Sequence, residues 1–293
     1  MNRFNWLIKR ELWENRSIWL GMPIAAGILV VASLFGFHGV QELTLDPRFT
    51  PDKQAKIVAA IYLGITMLFF IWAFFQSFFY AVDALYGDRR DRSVLFWKSL
   101  PLSDSETVLS KAATALVVVP LVAMASSVIA QWGVAIVGSI RLGNTLLLDP
   151  TALLAGVAVS LYIGVIFALW YAPVVGYLLA WSAWAPRNPF LYAVLPPVIL
   201  SIAEKLLFHT NYIGTLVGSR LTGVLTNGLG AERDGAFFGV QVSEDQVTVG
   251  GPEQLLGLMG DFFTDPALWA GLVAAALLFA AAVWIRRYRD ESL

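Results

Sequence analysis

Six stretches of this chain are each long and apolar enough to cross a bilayer, and no other feature restricts its fold so severely. They run Ile18 to Phe37, Ile57 to Val82, Val108 to Ile140, Thr151 to Ser182, Pro189 to Phe208 and Ala267 to Ile285. A bilayer core needs about 20 mostly apolar residues per helix. Inside it every backbone polar group must be satisfied within the segment, which selects helices. The expectation is an all-α membrane protein with six transmembrane helices in a single domain over residues 1–293. Composition agrees, since the chain is 58% hydrophobic and only 14% charged, where a soluble domain has about 25% charged residues. The third and fourth stretches exceed what a membrane requires, so they tilt or project into water. Gly36-Phe37-His38-Gly39 is unlike a signal-peptide cleavage site, so the first stretch is read as a retained helix.

Lys and Arg are retained on the cytoplasmic side. With the N-terminus inside, the inner segments hold Arg3, Lys9, Arg10, Arg16, Arg89, Arg90, Arg92, Lys98, Lys111, Arg187, Arg286, Arg287 and Arg289. The outer segments hold Arg48, Lys53, Lys56, Arg141, Lys205, Arg220 and Arg233. The inner set is almost twice as large and its segments are shorter, so the expected location is the cell inner (plasma) membrane, multi-pass, with both termini cytoplasmic. Asp149-Pro150 and Asp265-Pro266 each precede an apolar run. Asp suits the N-cap and Pro the first helical position, where no N–H is needed.

Three segments do not span. Residues 2–16 place Phe4, Ile8 and Leu12 on one helical stripe beside Trp6, Leu7 and Trp13, with Arg3, Lys9, Arg10, Glu11 and Glu14 around the rest. Such a helix is expected in the membrane interface, in contact with lipid. The inner segment 83–106 carries a dense charge run from Asp88 to Arg92, then Val94, Leu95, Phe96 and Trp97, then Pro101. Large apolar side chains beside charges on a cytoplasmic loop commonly mark an interaction site; the alternatives are that they dip into the bilayer surface or that the loop folds onto its own helices. Ser103-Asp104-Ser105-Glu106 reads as a capping box opening the third long helix. The outer segment 209–265 contains two apolar pieces, Tyr212 to Leu225 and Leu255 to Phe263. Both are too short to cross and are expected as re-entrant or interfacial helices.

The missing chemistry narrows function. Cysteine is absent and only His38 and His209 represent histidine, so no metal centre is expected. Lys and Arg number 20 against 21 Asp and Glu, which offers no basic footprint for nucleic acid. No P-loop, H-E-x-x-H or G-x-S-x-G is present, so no catalytic residue and no cofactor site are expected on this chain. Ion-coupled carriers keep acids or histidine at mid-membrane. Here the second, third, fourth and sixth spans offer only Gln76 and Gln131 as strongly polar groups, while Glu204 and Lys205 lie near the outer end of the fifth. These four are the candidates for a pathway or gate. The alternative for Glu204 and Lys205 is an interfacial pair near headgroups.

Six spans, an amphipathic N-terminal helix, a basic inner loop ending in Ser99-Leu100-Pro101-Leu102-Ser103, Lys111 on the next helix and a long outer segment before the last span together resemble the permease subunits of ABC-2 type ATP-binding-cassette exporters. The strongest local match is Arg92 to Lys111, which looks like the family's inner loop that docks on the ATPase. The resemblance implies ATPase docking through Arg92, Val94, Leu95, Phe96, Trp97 and Pro101, with Arg187 on a second, smaller inner contact. It further implies a separate ABC ATPase subunit carrying ATP and Mg, and a second permease subunit, identical or related, to complete one pathway. The alternative is an ion-coupled secondary carrier or channel-like protein acting without an ATPase.

Overall fold

A computed structural model describes residues 3–36, 51–91, 102–226, 241–243, 246–248 and 260–289. The first helix, α1 (Arg3–Glu14), is separated from α2 (Arg16–Ser33) only by Asn15. The Asn15 side-chain amide donates to the Glu11 carbonyl at 3.1 Å, and this local bond competes with continued helix and turns the chain. Next come α3 (Pro51–Arg90) and α4 (Asp104–Leu142). The fourth apolar stretch gives two helices, α5 (Pro150–Trp170) and α6 (Ala172–Trp184). They are followed by α7 (Pro189–Phe208) and the shorter α8 (Tyr212–Thr226). A small antiparallel pair, β1 (Gln241–Ser243) and β2 (Gln246–Thr248), and finally α9 (Pro266–Arg289) complete the described chain.

Six helices are long and apolar enough to cross a membrane, and they fall on the six stretches read from sequence. The architecture is that of a multi-pass helical membrane protein. Three boundaries differ from expectation. Helix α3 does not end at Val82 but runs on to Arg90, so Asp83 to Arg90 are helical rather than loop, and the link to α4 shortens to residues 91–103. The fourth span is not one helix, because Pro173 has no N–H for the carbonyl four residues earlier and its ring crowds that turn; the chain breaks at Tyr171. The antiparallel pair β1–β2 has no counterpart in the sequence reading of the outer segment, and it lies against α3.

Capping chemistry sets the other ends. The capping box of α4 forms, with Glu106 N–H donating to Ser103 Oγ at 3.1 Å and Ser103 N–H to Glu106 Oε2 at 2.9 Å. Asp149 accepts from Thr151 N–H and Asp265 from Ala267 N–H, as the two Asp-Pro pairs predict. His209, in the left-handed region at φ 53°, ends α7.

Helix α4 is interrupted by one π-turn, Thr114–Val118. Pro120 supplies no N–H to the Ala115 carbonyl five residues back, and the Ser77 hydroxyl on α3 donates to that carbonyl instead, at 2.8 Å. A π-turn relieved by a neighbour in this way is a natural place for a helix to bend. The core is built around α3, which packs on α4, α5 and α6, while α9 lies along α6. Aromatic rings fill the centre: Phe167 meets Tyr171 at 4.8 Å between centroids and Phe74 meets Tyr171 at 5.1 Å.

Candidate functional site

Charges that sequence places in solvent are instead buried together at one end of the bundle. Lys111, on the first turns of α4, is 2% exposed. Its ammonium lies 3.1 Å from Glu11 Oε1 on α1 and 3.4 Å from Asp88 Oδ1 on α3. Arg286, near the end of α9, reaches Asp88 Oδ2 at 3.3 Å with Nη1 and Asp104 Oδ1 at 3.2 Å with Nε. Arg10 pairs with Glu11 at 2.5 Å and with Glu14 at 3.4 Å. The Tyr80 hydroxyl donates to Glu11 Oε2 at 2.7 Å. Arg10, Lys111 and Arg286 thus balance the three inner carboxylates, Glu11, Asp88 and Asp104, and Glu14 adds a fourth carboxylate at the half-exposed edge.

Cancellation is what lets such groups be buried, because an isolated ion out of water is far costlier than a paired one. The Glu11 carboxyl shows the balance. Burial pushes its pKa up, but Lys111 and Arg10, with hydrogen bonds from Tyr80 and Lys111, outweigh that and hold it below the ordinary carboxylate value. Glu14, at the edge of the network, is raised, chiefly by burial. Arg10 is raised by Glu11 and Glu14 although burial alone would lower it.

The network ties the two stems of the 91–103 link to three other elements. Asp88 stands just before the link and Asp104 just after it, and Arg286 bridges them. Glu11 attaches α1 through Lys111. Next to Asp88, the Arg89 guanidinium donates to the Ser182 and Ala185 carbonyls at 2.6 and 2.9 Å. These lie at the C-terminal end of α6, where a cation complements the helix dipole. Ser182 Oγ in turn accepts from the N–H groups of Leu85 and Tyr86, both at 3.0 Å. A cavity of about 640 Å³ opens beside the network, bordered by Glu14, Gln76, Phe79, Tyr80, Asp83 and Lys111.

Of the side chains expected to act, those among the described residues are dispersed. Arg92, Val94, Leu95, Phe96, Trp97 and Pro101 lie outside the described residues, as does His38. Arg187 is exposed in the short turn between α6 and α7, close in sequence to the carbonyls that Arg89 holds. Gln76 borders the cavity. Gln131 is fully buried among helices, where its amide donates to Thr66 Oγ1 at 2.7 Å and Thr66 meets Ser160 at 3.1 Å. That arrangement fastens α3, α4 and α5 together. Glu204 does not pair with Lys205. It accepts from Tyr212 N–H, Ile213 N–H and the Thr210 hydroxyl at 2.6 to 2.8 Å, so it caps the start of α8 as an N-terminal anion should. Lys205 is exposed.

Helix α1 also differs from its sequence reading. Leu7, Arg10 and Glu11 form its buried face, while Trp6 and Trp13 are 40% and 66% exposed. The ionic residues turn inward because Lys111 and Tyr80 supply partners there, and the two indoles face outward.

Sequence reasoning missed Glu11, Asp88, Asp104, Lys111 and Arg286 as one unit. The available signal was Lys111 standing alone between Val108, Leu109 and Ala112, a charge on an apolar face that requires a buried counter-ion. Among the described residues no group of three or more His, Asp or Glu side chains could hold a metal ion. No family model, curated protein or solved structure matches the chain.

Proposed function

We propose that the chain is the membrane-spanning permease subunit of an ATP-driven exporter of the ABC-2 type, working as a dimer with a separate ATPase. The observation that carries the reading is the bridge from Arg286 to Asp88 and Asp104. Both stems of the candidate docking link are fixed to the last span by one side chain, and through Lys111 and Glu11 to the interfacial helix. A push on that link by a partner is therefore delivered to α1, α3, α4 and α9 together, which is what a conduit driven from outside its own polypeptide needs. The network is a mechanical coupling rather than a catalytic one. Its cations and carboxylates satisfy one another and present no nucleophile beside a free base.

The resemblance supplies the partner. Val94, Leu95, Phe96 and Trp97 would meet the ATPase, with Arg92 and Pro101 framing them and Arg187 on the smaller contact. ATP and Mg would be held by that partner, and this chain would contribute the path for a hydrophobic or amphipathic cargo. The test is co-purification. Phe96→Asp with Trp97→Asp should abolish recovery of an ABC ATPase while the protein still inserts. Unchanged recovery with normal coupled ATP hydrolysis would sink the docking assignment. Transport by the isolated chain in liposomes, driven by an ion gradient without ATP, would decide for the carrier alternative.

A further inference from the structure

About midway along the bundle, where Tyr171 lies level with Phe74 of α3, α8 is fastened to the break in the fourth span by a compact stack. The Arg220 guanidinium of α8 lies over the Trp170 ring, 4.6 Å from its centroid. The Trp170 indole N–H donates to the Arg220 carbonyl at 3.2 Å, and the Tyr171 hydroxyl donates to the Leu221 carbonyl at 2.9 Å. One turn on, Gly223 sits on the same indole, so closely that a Cβ there would overlap the ring. Arg220 also donates to the Ala267 carbonyl at the start of α9 and rests against Gly271. Phe262 packs against Trp170 at 5.8 Å between centroids, its ring tilted to the indole. Trp170 and Tyr171 are the last residue of α5 and the break before α6, so α8 is seated on the joint of the span.

We propose that this stack is a latch: α8 is a strap held over the joint between α5 and α6 by Arg220 and Gly223, and its release frees that joint to bend. The latch belongs to this chain alone. Its service as a gate on an export route rests on the permease reading above. A cation on an aromatic face is worth about 0.5–2 kcal/mol, weak enough for a partner-driven movement to undo. The glycine adds a steric seat that any side chain would lift.

The absence of cysteine permits a clean measurement on the purified permease in liposomes, with no ATPase present. Val224, 5% exposed on α8 beside Gly223, is changed to Cys as the reporter, and Ala135, fully buried in α4, is changed to Cys in a separate chain as the control. Labelling by a membrane-impermeant maleimide should be about tenfold faster at Val224→Cys when Arg220→Gln or Gly223→Ala is added, with Arg220→Lys between. Ala135→Cys should stay unlabelled throughout. An unchanged rate at Val224→Cys in both backgrounds overturns the latch, and so does a rise at Ala135→Cys in parallel, since that is general loosening. Either result leaves the ATPase docking test unaffected.

Discussion

Replacing Lys111 with Met removes one cation from a closed set of ions and nothing of comparable size. The side chain is 2% exposed and faces Glu11 at 3.1 Å and Asp88 at 3.4 Å. At an effective dielectric constant near 20, each contact carries about 5 kcal/mol of attraction before desolvation is counted. Much of that offsets the cost of burial, but the carboxylates remain buried after the substitution. Removing one partner of a buried pair then costs about 3–5 kcal/mol. For a chain of this size that lowers the melting temperature by on the order of 10 °C, measurable by tryptophan fluorescence in mild detergent. The decisive comparison is the double variant Lys111→Met with Glu11→Gln, which restores neutrality and leaves Arg286 on Asp88 and Asp104. It should be more stable than the sum of the single losses by at least about 1 kcal/mol. Strict additivity, or a single-variant loss below about 0.5 kcal/mol, would show that these charges are not energetically linked.

Acid should release the same network. Because the folded-state pKa of Glu11 is depressed, its contribution is complete above the ordinary carboxylate value of about 4.3 and is lost as pH falls through the lower folded value. Thermal stability should therefore be level near neutrality and drop below about pH 4, with a shallower acid limb in Glu11→Gln. Ser103→Ala removes the hydroxyl of the capping box and should cost about 1 kcal/mol, read as faster amide exchange at Glu106. Gly156→Ala sets a Cβ 2.6 Å from Gln131 Oε1 and should destabilise by about 1–3 kcal/mol; in denaturant titrations, adding it to Gln131→Ala should cost little further. A full penalty in that second background would place the clash elsewhere.

The spans were legible because an unbroken apolar run of 20 residues has one structural solution in lipid, and the Ser103 and Asp149 caps were legible because their chemistry is local. The break at Tyr171 was signalled by Pro173, but a proline inside an apolar run can bend a helix or divide it, and the choice depends on what packs beside it. Here Phe74 and Phe167 close around Tyr171. The continuation of α3 through Asp83 to Arg90 was hidden because charges after an apolar run look like a loop. Asp88 and Arg89 are helical because their partners, Arg286, Lys111 and the carbonyls at Ser182 and Ala185, come from positions about 20 to 200 residues away, and no local pattern encodes that meeting. The surroundings of Glu204 were hidden for a related reason: its partners are the Thr210 hydroxyl and the Tyr212 and Ile213 N–H groups at the start of α8, a turn-and-helix meeting that no local pattern encodes.

The length of α3 has a mechanical corollary. Its 40 residues make a rod about 60 Å long at 1.5 Å per residue, without an internal break, whereas α4 carries a π-turn and the fourth span is divided. Thr66 anchors this rod to Gln131 and Ser160 about 33 Å from Asp88 and about 22 Å from Pro51. A rigid bar pivoting there has unequal arms in a ratio of about three to two. A sideways shift at the charged end would appear at the far end reversed in direction and reduced by about a third, so α3 would trade stroke for force where α4 and the fourth span would flex.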